Sequence, residues 1–319
     1  MIKKKGALIR NRTHESFTFG KNAMELRVLK YFVETAHEKS MTKAAANLHV
    51  TQPTLSRQLK ALEEELGQKL FVRSNYHINL TEEGKLLLKR AEDILQIADK
   101  TSEEFASMQS FQGGDIYIGC AESEGIAYLA KTIKQLRSRY HNIRFHLYSG
   151  NAQSVNERLD QGLLDFNFIV QPLETAKYES LMIPFRDTWG LIMRKDALLV
   201  AKQTLTLDDL IDLPLIVSRQ GIANEIPSWL KQKQDQLNIV ATYDLIYNAA
   251  ILVKEGIGYA LSFDHLIHTG TDSILCFRPF DPPITSTMHL VWKKNQILSK
   301  SAQLFLAELK QLCEQAAPL

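Results

Sequence analysis

Apolar residues recur at Leu26, Leu29, Phe32, Val33 and Ala36, the spacing of one helix face, so an amphipathic first helix is predicted from Glu25 to about His37. A short second helix is predicted over Lys43 to Leu48, capped by Thr42 or Ser40, with Ala44, Ala45 and Ala46 permitting close packing. After a break at His49-Val50, Thr51 caps a third helix whose Pro53 falls in the first turn, where a missing N–H is harmless. Leu55, Leu59, Leu62 and Leu66 mark its buried side, Gly67 ends it, and Gln52, Pro53, Ser56, Arg57 and Lys60 share the outward side. Two extended pieces follow, Leu70 to Arg73 and His77 to Leu80, turning at Ser74-Asn75-Tyr76 as a hairpin. Helix, short helix, turn, helix, hairpin is the order of a winged helix-turn-helix.

Thr81 then caps a long helix to about Gln109, roughly 42 Å at 1.5 Å per residue. Leu87, Ala91, Ile94, Ala98, Thr101, Phe105 and Met108 alternate along it in steps of four and three, a seam that predicts pairing with a second copy; the alternative is a helix lying on its own body. Gly113-Gly114 marks a hinge. Beyond it the pattern reads strand Ile116 to Cys120, helix Glu124 to Tyr140, strand Ile143 to Tyr148, helix Asn151 to Gln161 and strand Asp165 to Val170, a βαβαβ series. A similar series recurs: Leu215 to Ser218, a helix near Asn224 to Gln232, Ile239 to Tyr243, a helix Tyr247 to Glu255, and Ile257 to Ser262. Two α/β lobes are therefore expected, with crossovers at Thr188 to Arg194 and Thr287 to Lys293, and a last helix, Ser301 to Glu314, returning to the first lobe.

With 319 residues, 45% of them hydrophobic and 23% charged, the chain reads as an ordinary globular protein of two or three compact units. Its apolar runs fall far short of the ~20 residues of a membrane-spanning helix, so no membrane partner is expected. Lys plus Arg numbers 38 against 36 for Asp plus Glu, which excludes a global electrostatic hold on nucleic acid. A local one survives: from Lys39 to Leu62 the cations Lys39, Lys43, Arg57 and Lys60 meet no carboxylate, and the acids Glu63-Glu64-Glu65 come where the helix would be leaving a duplex. Residues 1–23 carry Lys3, Lys4, Lys5, Arg10, Arg12 and Lys21 against Glu15 alone; they read either as a mobile basic arm or as a stretch ahead of a folded part that starts at Met24. Cys120, Cys276 and Cys313 are odd in number and far apart, which fits reduced thiols in a cytoplasmic protein, serving as small core hydrophobes. No nucleophile elbow, phosphate loop, dinucleotide fingerprint or Cys/His quartet occurs, and His265 with His268 reads as a surface turn or core feature before it reads as a metal site.

The run Met41-Thr42-Lys43-Ala44-Ala45-Ala46-Asn47-Leu48-His49-Val50-Thr51-Gln52-Pro53-Thr54-Leu55-Ser56-Arg57-Gln58-Leu59-Lys60-Ala61-Leu62-Glu63, continuing through Glu64-Glu65-Leu66-Gly67, Leu70-Phe71-Val72-Arg73 and Leu80-Thr81-Glu82-Glu83-Gly84, resembles the LysR-type transcriptional regulators. Weaker points of likeness are Gly150-Asn151, Gly162-Leu163-Leu164-Asp165, and Leu252-Val253 with Gly256-Ile257-Gly258; the 23-residue arm departs from the family's usual start. The resemblance implies an α+β multidomain chain: a winged helix-turn-helix DNA-binding domain at 24–81, a linker and dimerisation helix at 82–112, and a two-lobed α/β effector domain like a periplasmic binding protein at 113–319. Lobe one would take 113–186 and 288–319, lobe two 187–287.

By the same resemblance, Gln52, Pro53, Ser56 and Arg57 would enter the major groove, with Arg57 on a guanine edge and Gln52 on an adenine, while Lys43, Thr51, Lys60 and the wing's Arg73 would touch phosphates. Leu87, Ala91, Ile94, Ala98 and Phe105 would join two copies. A small-molecule effector, a carboxylate or an amino acid, would lie among Ser123, Asn151, Ser154, Gln171, Ser218, Arg219 and Asn248, with Arg219 pairing the carboxylate and Ser123 at a helix start. Glu122 and Glu124 flank Ser123 and oppose a purely anionic ligand; the simpler expectation is that they face water, the alternative that an amine of the effector lies near one of them. No cofactor, metal or catalytic residue is implied. The expected partners are double-stranded promoter DNA, the effector, further copies in a homodimer or homotetramer, and RNA polymerase. The competing reading is an α/β enzyme carrying a winged-helix module, which requires titratable groups of perturbed pKa in the cleft.

Overall fold

The computed structural model describes residues 24–73, 78–109, 111, 113–150, 152–170, 176–219 and 236–316. The predicted arm 1–23, the wing tip 74–77 and the predicted helix 224–232 lie outside them. The chain forms two compact units, one ending at Ala98 and the other beginning at Asp99.

In the first unit, α1 (Leu26–Glu38), α2 (Met41–Asn47) and α3 (Gln52–Leu66) bury Val28, Leu29, Phe32, Ala44, Ala45, Leu55, Leu59 and Leu62 in one core. Leu26, expected inside, is 46% exposed, because Val28 takes the inner place in the first turn. Ser40 caps α2, its hydroxyl accepting from the Lys43 N–H at 3.4 Å, and Thr51 caps α3 by accepting from the Thr54 N–H at 3.4 Å. Gly67 ends α3 at φ +66°, a left-handed conformation that strains any residue with a Cβ.

The end of α3 differs from the expectation. Leu66 is exposed, whereas Glu63 is buried. Its Oε1 accepts from the N–H groups of Leu70 at 2.9 Å and Phe71 at 3.3 Å, and its Oε2 from the Lys69 ammonium at 2.8 Å. Burial alone would raise the Glu63 pKa, but the Lys69 ammonium and the two N–H donors outweigh it and hold it below the usual carboxylate range. Glu63 therefore ties the helix to the start of the wing, β1 (Phe71–Arg73), which pairs antiparallel with β2 (Ile78–Leu80).

Thr81 caps α4 (Glu82–Gln109), accepting from the Gly84 N–H at 2.9 Å. Ala91 and Leu95 are buried in the first unit's own core, with Leu87 and Leu88 packed beside them. Ala91 is thus covered within the unit and Leu87 partly so, as the alternative of a helix lying on its own body expects for this part of the seam. Ile94 and Phe105 of that seam are exposed and Ala98 is half-buried, while Leu86 and Ile97 stand exposed as well.

The second unit is built on β3 (Gly114–Cys120), α5 (Ile126–Arg139), β4 (Ile143–Ser149), α6 (Ala152–Asp160), β5 (Phe166–Val170), β6 (Tyr178–Arg194), β7 (Leu215–Ser218), β8 (Ile239–Tyr243), α7 (Ile246–Lys254), β9 (Tyr259–Phe263), β10 (Leu275–Pro279), β11 (Thr285–Lys293) and α8 (Lys300–Gln315). Strands run in the order β4-β3-β5-β11-β6-β9-β7-β8, with β10 also on β6. The predicted parallel pairs are present: β3 with β4 and β5, β7 with β8 and β9. The expected crossover at 188–194 is the end of a 17-residue strand, β6. From Tyr178 to Thr188 it pairs with β11 and from Trp189 to Arg194 with β9 and β10, so one strand passes through both lobes. Strand β10 was not anticipated; its Leu275 and Cys276 are buried. Lys100, near the C-terminal end of α4, places its ammonium 2.7 Å from Asp165 Oδ1 and donates to the Gly162 carbonyl at 3.2 Å, while Asp165 Oδ2 accepts from the Tyr117 N–H at 2.8 Å. That nearly dry ion pair fixes the helix end to β3 and to the loop before β5.

Replacing Glu63 by Ala leaves two buried N–H groups unpaired and should destabilise the first unit by about 2–4 kcal/mol, whereas Lys69→Ala, at an exposed partner, should cost under about 1 kcal/mol. Native-state hydrogen exchange of the α3 amides measures both.

Candidate nucleic-acid interface and ligand cleft

Leu55, Leu59 and Leu62 hold one side of α3 against the core, and the helical period turns Gln52, Pro53, Ser56, Arg57 and Lys60 the other way. Gln52, Pro53, Arg57 and Lys60 are exposed and Ser56 is half-buried; Lys43 is exposed on α2. The Thr51 hydroxyl is engaged in the cap and lies 2.9 Å from the Thr54 hydroxyl. Lys60 is 3.5 Å from Glu64 one turn on, an exposed pair worth about 0.3–0.5 kcal/mol that a phosphate readily replaces. Arg73 closes β1; its side chain lies outside the described residues.

In the second unit a cleft of about 60 Å³ opens where the C-terminal end of β3 meets the start of α7 across β6 and β9. Its lining includes Glu122, Trp189, Ser218, Tyr243, Asp244 and Phe263. Of the predicted effector residues, only Ser218 is among the described residues that line it, and Asn151 and Gln171 lie outside those described. Ser154 sits one step back: a Cβ on the lining residue Gly150 would come within 2.9 Å of its hydroxyl. Asn248 is exposed on α7, away from the lining, because the helix turns its first residue, Ile246, inward instead.

Arg219 is not among the described residues of the lining. Its side chain is 65% exposed and its Nη1 lies 3.8 Å from Asp244, so a neighbouring acid already offsets it. Ser123 is buried, donating to Asp187 Oδ2 at 2.6 Å while accepting from the Gly125 N–H at 2.9 Å. Glu122 is half-buried: it lines the cleft and its Oε2 accepts from the Ile246 N–H, the first of α7, at 2.9 Å. Burial raises its pKa, an effect the Ile246 N–H partly opposes. Glu124 is exposed, as expected. Cys120 lines the cleft as an inert thiol, pushed up to about 12 by burial.

The residues that sequence reasoning missed are Asp244, Tyr243, Phe263 and, beneath Ser123, Asp187. Trp189, expected as packing, does pack, its ring 4.3 Å from that of Phe263, but it also walls the cleft. The available signal was position: Tyr243-Asp244 and Phe263 stand at the C-terminal ends of parallel strands, where open α/β sheets bind ligands.

Comparison with known proteins agrees with this arrangement. The sequence model described as the bacterial regulatory helix-turn-helix protein, lysR family, matches residues 26–85, and that of the LysR substrate binding domain matches residues 110–314. The chain is 27% identical to the uncharacterized HTH-type transcriptional regulator YvbU of Bacillus subtilis (strain 168), over 91% of this chain and 99% of that protein. It is 29% identical to a probable RuBisCO transcriptional regulator of Trichormus variabilis, over 89% of this chain and 86% of that one. Among solved structures, CbnR, a LysR family transcriptional regulator, shares the fold with a TM-score of 0.69 at 20% identity, covering 91% of this chain and 99% of CbnR.

Asp187 supplies a pH test. Burial pushes its pKa up to about 6, against the opposing hydrogen bond from Ser123, and its Oδ1 has no hydrogen-bond partner. A carboxyl raised in the folded state binds more protons folded than unfolded, so its ionisation costs stability as pH rises from about 4 to about 6. Asp187→Asn removes that cost. The stability of the variant relative to the parent should rise across this window, by on the order of 2–3 kcal/mol, and then level off, as read by urea unfolding at stepped pH.

Proposed function

The chain belongs to the LysR family of bacterial transcriptional regulators, DNA-binding proteins with a substrate-binding effector domain, and from that premise we propose that it reads promoter DNA through the outward face of α3. The observation that carries this is the division of α3 into a leucine side and a side of Gln52, Ser56, Arg57 and Lys60 that bears no carboxylate before Glu64. In the major groove Arg57 would donate to guanine O6 and N7, and Gln52 would read an adenine edge. Lys43, Lys60 and Arg73 would neutralise phosphates and set the register. Thr51 contributes by holding the first turn of the helix, its hydroxyl being used in the cap.

The same reading makes the protein an oligomer. Leu86 and Ile97, and likewise Ile94 and Phe105, stand about three helical turns apart on α4, so the four exposed apolar side chains share one side of the helix. Burying them against a second copy would place two α3 helices on half-sites one turn of duplex apart, about 34–36 Å. The domain limits proposed are a DNA-binding domain at 24–81, the helix 82–112, and an effector domain from 113, whose lobes are joined by β6. An effector held in the cleft would act by its unequal affinity for two arrangements of the protein.

The enzyme reading draws on the two carboxyl groups of raised pKa, Glu122 and Asp187. Each is engaged structurally, by the Ile246 N–H and by the Ser123 hydroxyl, and the cleft thiol is inert, so we infer no turnover. The probable RuBisCO transcriptional regulator and CbnR, solved with its target DNA, are transcriptional regulators in their own right, and their likeness supports the regulatory reading here.

Selection of duplexes from a random pool by the full-length chain should enrich a near-palindrome. On the enriched duplex Arg57→Ala should cost about 1–3 kcal/mol and flatten the preference at one position, while Lys43→Ala should weaken all duplexes alike and lower the salt slope by about 1. An unenriched pool, or loss of binding by Arg57→Ala without change in sequence preference, contradicts the assignment.

A further inference from the structure

If the cleft seats the effector, as proposed above, its lining also selects the ligand's charge. The ionisable side chains in the described lining, apart from the inert Cys120, are Glu122, Asp244 and Tyr243; Lys, Arg and His are absent from it. Arg219, which would have supplied a cation, is mostly exposed beside Asp244.

Several donors that an anion could use are already engaged. The first N–H of α7, at Ile246, is held by Glu122 at 2.9 Å. The Ser123 hydroxyl at the start of α5 donates to Asp187 at 2.6 Å, so an anion arriving there would meet a second carboxylate. Trp189 donates its indole N–H to the Ser286 hydroxyl at 2.9 Å, Tyr243 its hydroxyl to the Leu261 carbonyl at 2.8 Å, and Ser262 its hydroxyl to the Phe263 carbonyl at 3.1 Å. Apart from the Ser218 hydroxyl, what the described lining then offers a ligand is carboxylate oxygen, that of Asp244 lying 3.8 Å from Arg219, and ring surface. Trp189, Tyr243 and Phe263 line the cleft together, and the negative face of an aromatic ring attracts a cation, more strongly where water is thinned out.

We propose that the cleft binds a small organic cation, an alkylammonium, held by the carboxylates of Glu122 and Asp244 and by the rings of Trp189, Tyr243 and Phe263. This keeps the amine of the amino-acid effector expected from sequence and drops its carboxylate, for which Ser123 donates instead to Asp187 and Arg219 stands mostly exposed beside Asp244. A cleft of about 60 Å³ has room for roughly four to six water-sized groups, the size of a short amine. Glu122 reaches the first N–H of α7 from the loop after β3, so a cation drawn to that carboxylate bears on a hydrogen bond by which this loop holds the helix. Occupancy and the relation between the two lobes are thereby coupled through a named contact.

Titration calorimetry on the full-length chain, with n-butylammonium, butyrate and butanol as probes of equal chain length, tests the proposal. Saturable binding of n-butylammonium alone is expected, weakened roughly tenfold by Asp244→Asn and by Glu122→Gln, and largely kept by Asp244→Glu. Binding of butyrate or butanol, binding of no probe, or ammonium binding unaltered in both neutral variants overturns it. Melting curves of each variant confirm that it is folded, and Glu122→Gln keeps an oxygen for the Ile246 N–H. Binding of the selected duplex, measured on the same preparations, separates the two claims: DNA binding without ammonium binding removes only the cation assignment, and ammonium binding without DNA binding removes the regulator reading.

Discussion

The account depends on one helix having two unlike sides. α3 can offer Gln52, Ser56 and Arg57 to a partner only because Leu55, Leu59 and Leu62 are fixed in a core shared with α1 and α2. Glu63 adds a polar anchor to that apolar one. Buried and charged, it holds the N–H groups of Leu70 and Phe71, so the wing begins at a set place relative to the helix. A carboxylate in this position specifies geometry more than it adds stability, since desolvation opposes its ionisation and the Lys69 ammonium and two N–H donors must offset that cost.

In the second unit the corresponding constraint is β6. A strand that pairs with β11 over its first part and with β9 and β10 over its last cannot let the lobes move independently without bending near Thr188 and Trp189. The cleft lies at that point, with Trp189 in its wall and Asp187 buried two residues before. β3 joins this region to the long helix: its end supplies Cys120, Ala121 and Glu122 to the cleft, and its Tyr117 N–H binds the carboxylate that pairs with Lys100 of α4. One backbone hydrogen bond and one nearly dry ion pair thus tie β3, whose end lines the cleft, to α4.

The fold was largely legible because its signals are periodic and local. The steps of four and three in α3, the caps at Ser40 or Thr42 and Thr51, the stop at Gly67 and the repeated βαβαβ pattern each act over a few residues, and elements were placed to within one to three residues for most of them. What escaped is what depends on distant partners. Glu63 read as one of three solvated acids because its donors come from the returning chain, and Leu87 and Ala91 read as a dimer seam because periodicity marks an apolar side without saying what covers it. The cleft was the least legible part. Ser123 and Arg219 have the right chemistry at the right turns, but the partners they meet in the folded chain, Asp187 for Ser123 and Asp244 beside Arg219, are distant in sequence.

The central claim is that the outward side of α3 grips a duplex at chosen sequences. DNase protection by the folded full-length chain, on the DNA flanking its own gene at low ionic strength, tests this most directly. The account predicts a protected pair of half-sites, near-palindromic and centred about one helical turn apart; folded protein that leaves every such fragment open to cleavage would contradict it.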